Sequence, residues 1–146
     1  MLAAIVRPIR AGAHEAALEQ PKIDREHVII LAQGGGTKLL GSAYGLFARL
    51  QAPCGVALVC SRLDNTAVQA ITTRLHIIQG SEDWSNWQTY AEAASSAHQD
   101  RYPYGATCFV ADNADHTLTD QGTGRFHEDA LVSLTEWLTT LCPVSS

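Results

Sequence analysis

His27-Val28-Ile29-Ile30-Leu31-Ala32-Gln33-Gly34-Gly35-Gly36 is a run of apolar, largely β-branched residues that stops on three glycines. Such a segment has no polar face, so as a strand it must be covered on both sides. Residues 55–61 (GVALVCS), 74–80 (RLHIIQG) and 106–111 (ATCFVA) repeat the form. Helical patterns lie between them. Leu39, Leu40, Ala43, Phe47 and Leu50 recur at three- and four-residue steps, and residues 84–98 are alanine-rich without Gly or Pro. Phe126, Ala130, Leu131, Leu134, Trp137, Leu138 and Leu141 make the cleanest amphipathic stripe, stopped by Pro143. The link from Asn65 to Thr73 has room for two turns at most, and residues 11–20 can form a helix closed by Pro21.

The order is one helix, then strand and helix four times over. That alternation predicts an α/β fold: a mainly parallel sheet of about four strands, right-handed crossovers, and helices on both faces. Ligands of such sheets bind beyond the carboxyl ends of the strands. The positions that matter are therefore 33–37, 61–65, 80–84 and 111–117.

Composition bounds the rest. The chain has 146 residues, 46% hydrophobic and 17% charged, which suits a single domain over 1–146. No apolar run reaches the roughly 18–20 residues of a membrane helix, so no membrane partner is expected. A net charge of −5 gives no bulk attraction to phosphate backbones, which argues against nucleic acid. The first residues lack the charge-first pattern of a secretory signal, so a cytoplasmic location is expected. Cys54, Cys60, Cys108 and Cys142 show no two-residue spacing and read as small buried hydrophobes. The histidines have no metal-ligand spacing, and neither metal nor other cofactor is expected.

The strand after Arg74 ends in Gly80-Ser81-Glu82-Asp83, and the strand after Ala106 runs into Asp115-His116. A carboxylate at one strand end and an imidazole at the next is what a base and its orienting acid require. With the final amphipathic helix, this stretch resembles the C-terminal portion of an α/β-hydrolase. The resemblance implies Asp83 at the triad acid and His116 at the triad histidine. That family carries its nucleophile on a strand–helix turn of the form Gly-x-Ser-x-Gly. Here the matching turn reads Ala32-Gln33-Gly34-Gly35-Gly36, so the resemblance places Gly34 in the nucleophile position, with no side chain. It further implies half of the fold, with the N-terminal strands missing and the region between the second and third strands reduced to residues 65–73.

Two readings stand for most of these residues. His116 is either an active group or a loop histidine, and Asp83 is either the acid or an N-cap for the following helix. Trp84, with Trp87 and Tyr90, either lines a pocket or packs beneath one. Gly34, Gly35 and Gly36 open a helix whose N–H groups favour a small anion or carboxylate. Gly34-Gly35-Gly36-Thr37-Lys38 does not fit the Walker pattern. Ser42 lies too far along the helix to serve as nucleophile, whereas Cys60 and Ser61 end a strand on the correct edge. The favoured expectation is a non-catalytic module that binds a small anionic or ester-like ligand. The alternative is a weak esterase-type hydrolase using His116 with Cys60, Ser61 or activated water.

Removing the strands before His27 would leave an apolar strand with an open edge, a feature that folds cover or pair. Either residues 2–6 add a strand there, or two copies meet across a two-fold axis. A homodimer is expected, with residues 1–10 at or near the contact. Sedimentation at micromolar concentration should show it, and a monomer throughout the concentration range would refute it.

Overall fold

The structure is a computed structural model and describes residues 3–5, 19, 24–84 and 87–141. Five strands form one sheet: β1 (Ala3–Ile5), β2 (Ile29–Gln33), β3 (Gly55–Val59), β4 (Arg74–Gly80) and β5 (Ala106–Ala111). They lie in chain order, and every neighbouring pair is parallel. Among the described residues, four helices accompany them: α1 (Gly35–Gln51), α2 (Asn65–Gln69), α3 (Trp87–Arg101) and α4 (Glu128–Leu141). A short 3-10 turn over Arg25–His27 leads into β2. The α/β class is as the apolar runs predict. The sheet gains one strand over the expected four, because Ala3–Ile5 pairs with Ile29–Leu31. The expected helix over residues 11–20 lies outside the described residues.

Strand order explains the layers. When successive strands are added on the same side, right-handed crossovers put every connecting helix on one face. Side chains of a strand alternate between faces, and the core divides accordingly. Ile30, Val56, Leu58, Leu75 and Ile77 pack against Leu40 and Tyr44 of α1, Val68 of α2, and Ala91 and Ala94 of α3. No strand follows α4 within the described residues, so it folds back over the opposite face. There Trp137 and Leu141 close on Ile29 and Ala57, while Ala130 meets the cluster of Val59, Ile78 and Ala111.

The periodic stripe expected on α1 needs correction. Thr37, Leu40 and Tyr44 are its buried residues, whereas Leu39 and Leu50 are exposed. Both sets satisfy the three- and four-residue spacing but lie about a quarter-turn or more apart round the helix. On α4, Ala130, Trp137 and Leu141 are buried, while Leu131 and Phe126, which precedes the helix, are exposed.

One polar group sits under α4. His76 of β4 bonds Thr107 through Nδ1 (2.7 Å) and Ser133 through Nε2 (3.0 Å), and its ring stacks on Trp137 at 5.4 Å. Burial opposes its charged form and pushes its pKa down to about 4 from 6.5. Buried His98, which bonds the Ile71 carbonyl, is lowered for the same reason. Both are neutral when folded but take up protons when unfolded, so the stability they confer is complete above pH 6.5 and is lost as pH falls. For His76 the loss runs down to about pH 4 and amounts to about 3 kcal/mol. Urea unfolding followed from pH 7 to pH 4 should show this decline, with a shallower slope in His76→Gln.

Candidate functional site

At the carboxyl ends of the strands, the turn from β2 into α1 pivots on Gly34, with φ of 53° and ψ of −122°. L-residues rarely adopt that conformation. Its N–H donates to the Val59 carbonyl at 2.9 Å, which ties the turn to the end of β3. Its carbonyl accepts from the Thr37 hydroxyl at 2.6 Å, and that same hydroxyl accepts from the Arg62 N–H at 2.9 Å. Thr37 is fully buried, so it welds the β2 turn to the loop after β3. A Cβ built on Gly34 would meet nothing within 4 Å. The turn therefore opens onto free space.

The loop carrying His116 is brought over β4 by a close backbone approach. A Cβ on Gly80 would stand 2.4 Å from the carbonyl oxygens of both Ala114 and Asp115. Ser81 N–H donates to Ala111 O and Glu82 N–H to Ala114 O, each at 2.9 Å. Only a glycine lets the β4 end and this loop share that space. Further along, Asn113 and Leu118 take positive φ values of 56° and 59°. Positive φ in residues with a side chain gathers at functional sites; here Cys60 and Asn113 lie just beyond β3 and β5, and Leu118 lies in the loop after β5.

Asp83 is held by four hydrogen bonds. Arg62 approaches as a fork, Nη1 to Oδ2 at 3.0 Å and Nη2 to Oδ1 at 2.8 Å. Gln79 Nε2 donates to Oδ2 and the Trp84 N–H to Oδ1, both at 2.7 Å. The carboxylate is 1% exposed. Burial would raise its pKa, but the bonds from Arg62, Gln79 and Trp84 outweigh it and hold the group below 3.8. No hydrogen bond among the described residues joins Asp83 to His116. Asp83 accepts from the N–H of the next residue, Trp84, whereas the helix begins at Trp87, so this bond is not the N-cap contact expected from sequence.

His116 instead lies against Trp84, with ring centroids 4.5 Å apart and the planes tilted by 31°. Trp84 is largely exposed and covers the imidazole from outside. Arg62 also lies 4.8 Å from the Trp87 ring and 5.5 Å from that of Trp84, close enough for cation–π attraction. Cys60 is fully buried and its thiol points at the Asp115 carbonyl, 3.9 Å away. Burial pushes its pKa up to about 11, which suppresses the thiolate a nucleophile needs. The buried Ser61 hydroxyl accepts from the Leu63 N–H at 3.1 Å.

A cleft of about 460 Å³ lies at the β2–α1 turn, walled by Gln33, Gly34, Leu39, His116 and Thr117, with Gly35 and Gly36 in its floor. Its lining is mostly apolar, and its size is that of a small-ligand pocket. A larger cleft of about 540 Å³ lies by the first turn of α4, at Asp120, Arg125 and Phe126. The smaller is the better site because it lies at the strand ends and brings an imidazole to a helix N-terminus. Of the positions flagged from sequence, Gly34, Gly35, Gly36 and His116 meet in this cleft, Trp84 touches it through His116, and Asp83 is turned to Arg62.

No family model matches the sequence, and no curated protein matches it. Among solved structures, the 1.92 Å crystal structure of a dienelactone hydrolase from Anabaena variabilis ATCC 29413 is similar in fold, with a TM-score of 0.59 and 17% sequence identity. The fold is part of an α/β-hydrolase fold. The similarity covers 89% of this chain and 56% of that enzyme, so the chain spans little more than half of its length.

Arg62, Gln79 and Thr37 are the site residues that the sequence reading passed over. Gln79 had a visible signal, since an amide inside an apolar strand must find a partner in the core. The Gly80 contact is open to a direct test. Gly80→Ala should lower stability by about 1–3 kcal/mol through overpacking and shift the NMR signals of residues 114–116. Gly45→Ala, in an uncrowded part of α1, should stabilise by about 0.5–1 kcal/mol.

Proposed function

We propose that the chain is an α/β-hydrolase-like protein in which Gly34 occupies the nucleophile position, and that the cleft beside it holds a small anionic or ester-like ligand without turning it over. One observation carries this reading. The β2–α1 turn keeps at Gly34 a positive-φ conformation that residues with a side chain rarely adopt, and the place where a nucleophile would project is open space beside the cleft. The Gly35 and Gly36 N–H groups, ahead of Thr37 whose N–H bonds the Gly34 carbonyl, have no carbonyl one turn back to bond, and the helix dipole makes that end attractive to a carboxylate. His116, on the opposite wall, supplies a polar contact, and Leu39 supplies apolar surface.

Catalysis by a substitute nucleophile fits the geometry less well. The Cys60 thiol is buried with a raised pKa, and Ser61 is engaged in its own loop. The reading also includes a cytoplasmic location and pairing of two copies through the β1 side of the sheet. Among the described residues, β1 is the edge of the sheet and pairs on one side, with Ile29, Ile30 and Leu31 of β2. No helix among the described residues is long and apolar enough to cross a membrane.

Benzoate is a suitable probe, being an anion with an apolar body. Titrated into labelled protein, it should move the amide signals of Gly35 and Gly36 and the ring signals of His116. His116→Ala should weaken its binding about tenfold, the value of one hydrogen bond to a charged group. p-Nitrophenyl acetate should hydrolyse no faster than in buffer. Turnover that vanishes in His116→Ala would replace the binding reading with the esterase one.

A further inference from the structure

We propose that Arg62 is a positioning residue that withholds Asp83 from His116 and so keeps the imidazole free for ligand in the cleft. The inference rests on reading Asp83 and His116 as counterparts of a triad's acid and base. It adds a second departure from triad chemistry, independent of the glycine at position 34.

The argument is one of acceptor capacity. A carboxylate has about four lone-pair sites. In Asp83 Oδ1 takes Arg62 Nη2 and the Trp84 N–H, and Oδ2 takes Arg62 Nη1 and Gln79 Nε2. All four are spent. Trp84, the next residue in the chain, places its ring 4.5 Å from that of His116. The guanidinium is unusually well fixed for a loop arginine. Its backbone N–H is bonded to buried Thr37, its charge sits near the faces of Trp84 and Trp87, and its side chain is 14% exposed. Gln79 carries the cost of the arrangement: its amide nitrogen serves Asp83, while its buried oxygen has no partner among the described residues. An arginine fork fills a carboxylate in a way that a lysine, with its compact point charge, does not.

The test reads the protonation site of the His116 ring by nitrogen–proton correlation NMR at a pH where the ring is neutral. In the unaltered protein, Asp83→Asn should leave the balance of Nδ1–H and Nε2–H forms of His116 unchanged. In Arg62→Lys an acceptor site on Asp83 is vacated, and His116 should move to the Nδ1–H form with a downfield ring proton. That change should be lost in Arg62→Lys/Asp83→Asn. Arg62→Met should behave like Arg62→Lys if it folds, and the lysine variant decides the matter if it does not. A His116 spectrum unmoved by Arg62→Lys overturns the proposal, as does an unaltered protein in which Asp83→Asn already shifts the tautomer. Benzoate binding is a separate readout. Its absence with the tautomer change present would remove the ligand reading and leave the role of Arg62 standing.

Discussion

The bidentate pair between Arg62 and Asp83 is the contact on which the arrangement of the strand ends depends. It joins the loops after β3 and β4, and through Thr37 it reaches the turn after β2. Both charges are largely removed from water. Ion pairs in that setting contribute little net stability, yet they are costly to break from one side only, because the survivor is left charged and unpaired. Here the survivor would be a carboxylate at 1% exposure. The pair therefore acts mainly as a geometric constraint. Asp83 also holds the Trp84 N–H, and the Trp84 ring lies against His116.

Around that constraint the site is assembled from backbone rather than from long side chains. Gly34 turns the chain with a positive φ, Gly80 admits the Ala114 and Asp115 carbonyls, and Thr37 ties two loops with one hydroxyl. Each device brings strand ends together without filling the cleft. The result is a mostly apolar hollow with N–H groups on one wall and an imidazole on another. Under the proposed function, such a hollow would bind and orient a small carboxylate. The Cys60 thiol, set at a positive φ just beyond β3, is buried with its pKa raised to about 11.

Much of the fold was legible because parallel strands covered on both faces must be apolar throughout, and four such runs stand out. The short β1 was seen only as one of two ways to cover the edge of β2. The stripe read on α1 was right at Leu40 and Ala43 but wrongly took in Leu39 and Leu50, which keep the same spacing as residues that face the core. Spacing reports a stripe but not its azimuth. In the site, the glycine turn and His116 could be placed from strand ends alone. Arg62 could not, because its contact with Asp83 spans 21 residues and exists only once β3 and β4 lie side by side.

The sequence by itself determined that strands alternate with helices, that the strand ends fall at residues 33–37, 61–65, 80–84 and 111–117, and that position 34 has no side chain. Local rules suffice for these, since apolar runs, glycine and chain order act on neighbours along the chain. Only the tertiary structure decided which partner Asp83 takes. A carboxylate bonds whichever donors the packed loops deliver first and best, and a guanidinium fork held by Thr37 and two tryptophans fills the positions an imidazole would need.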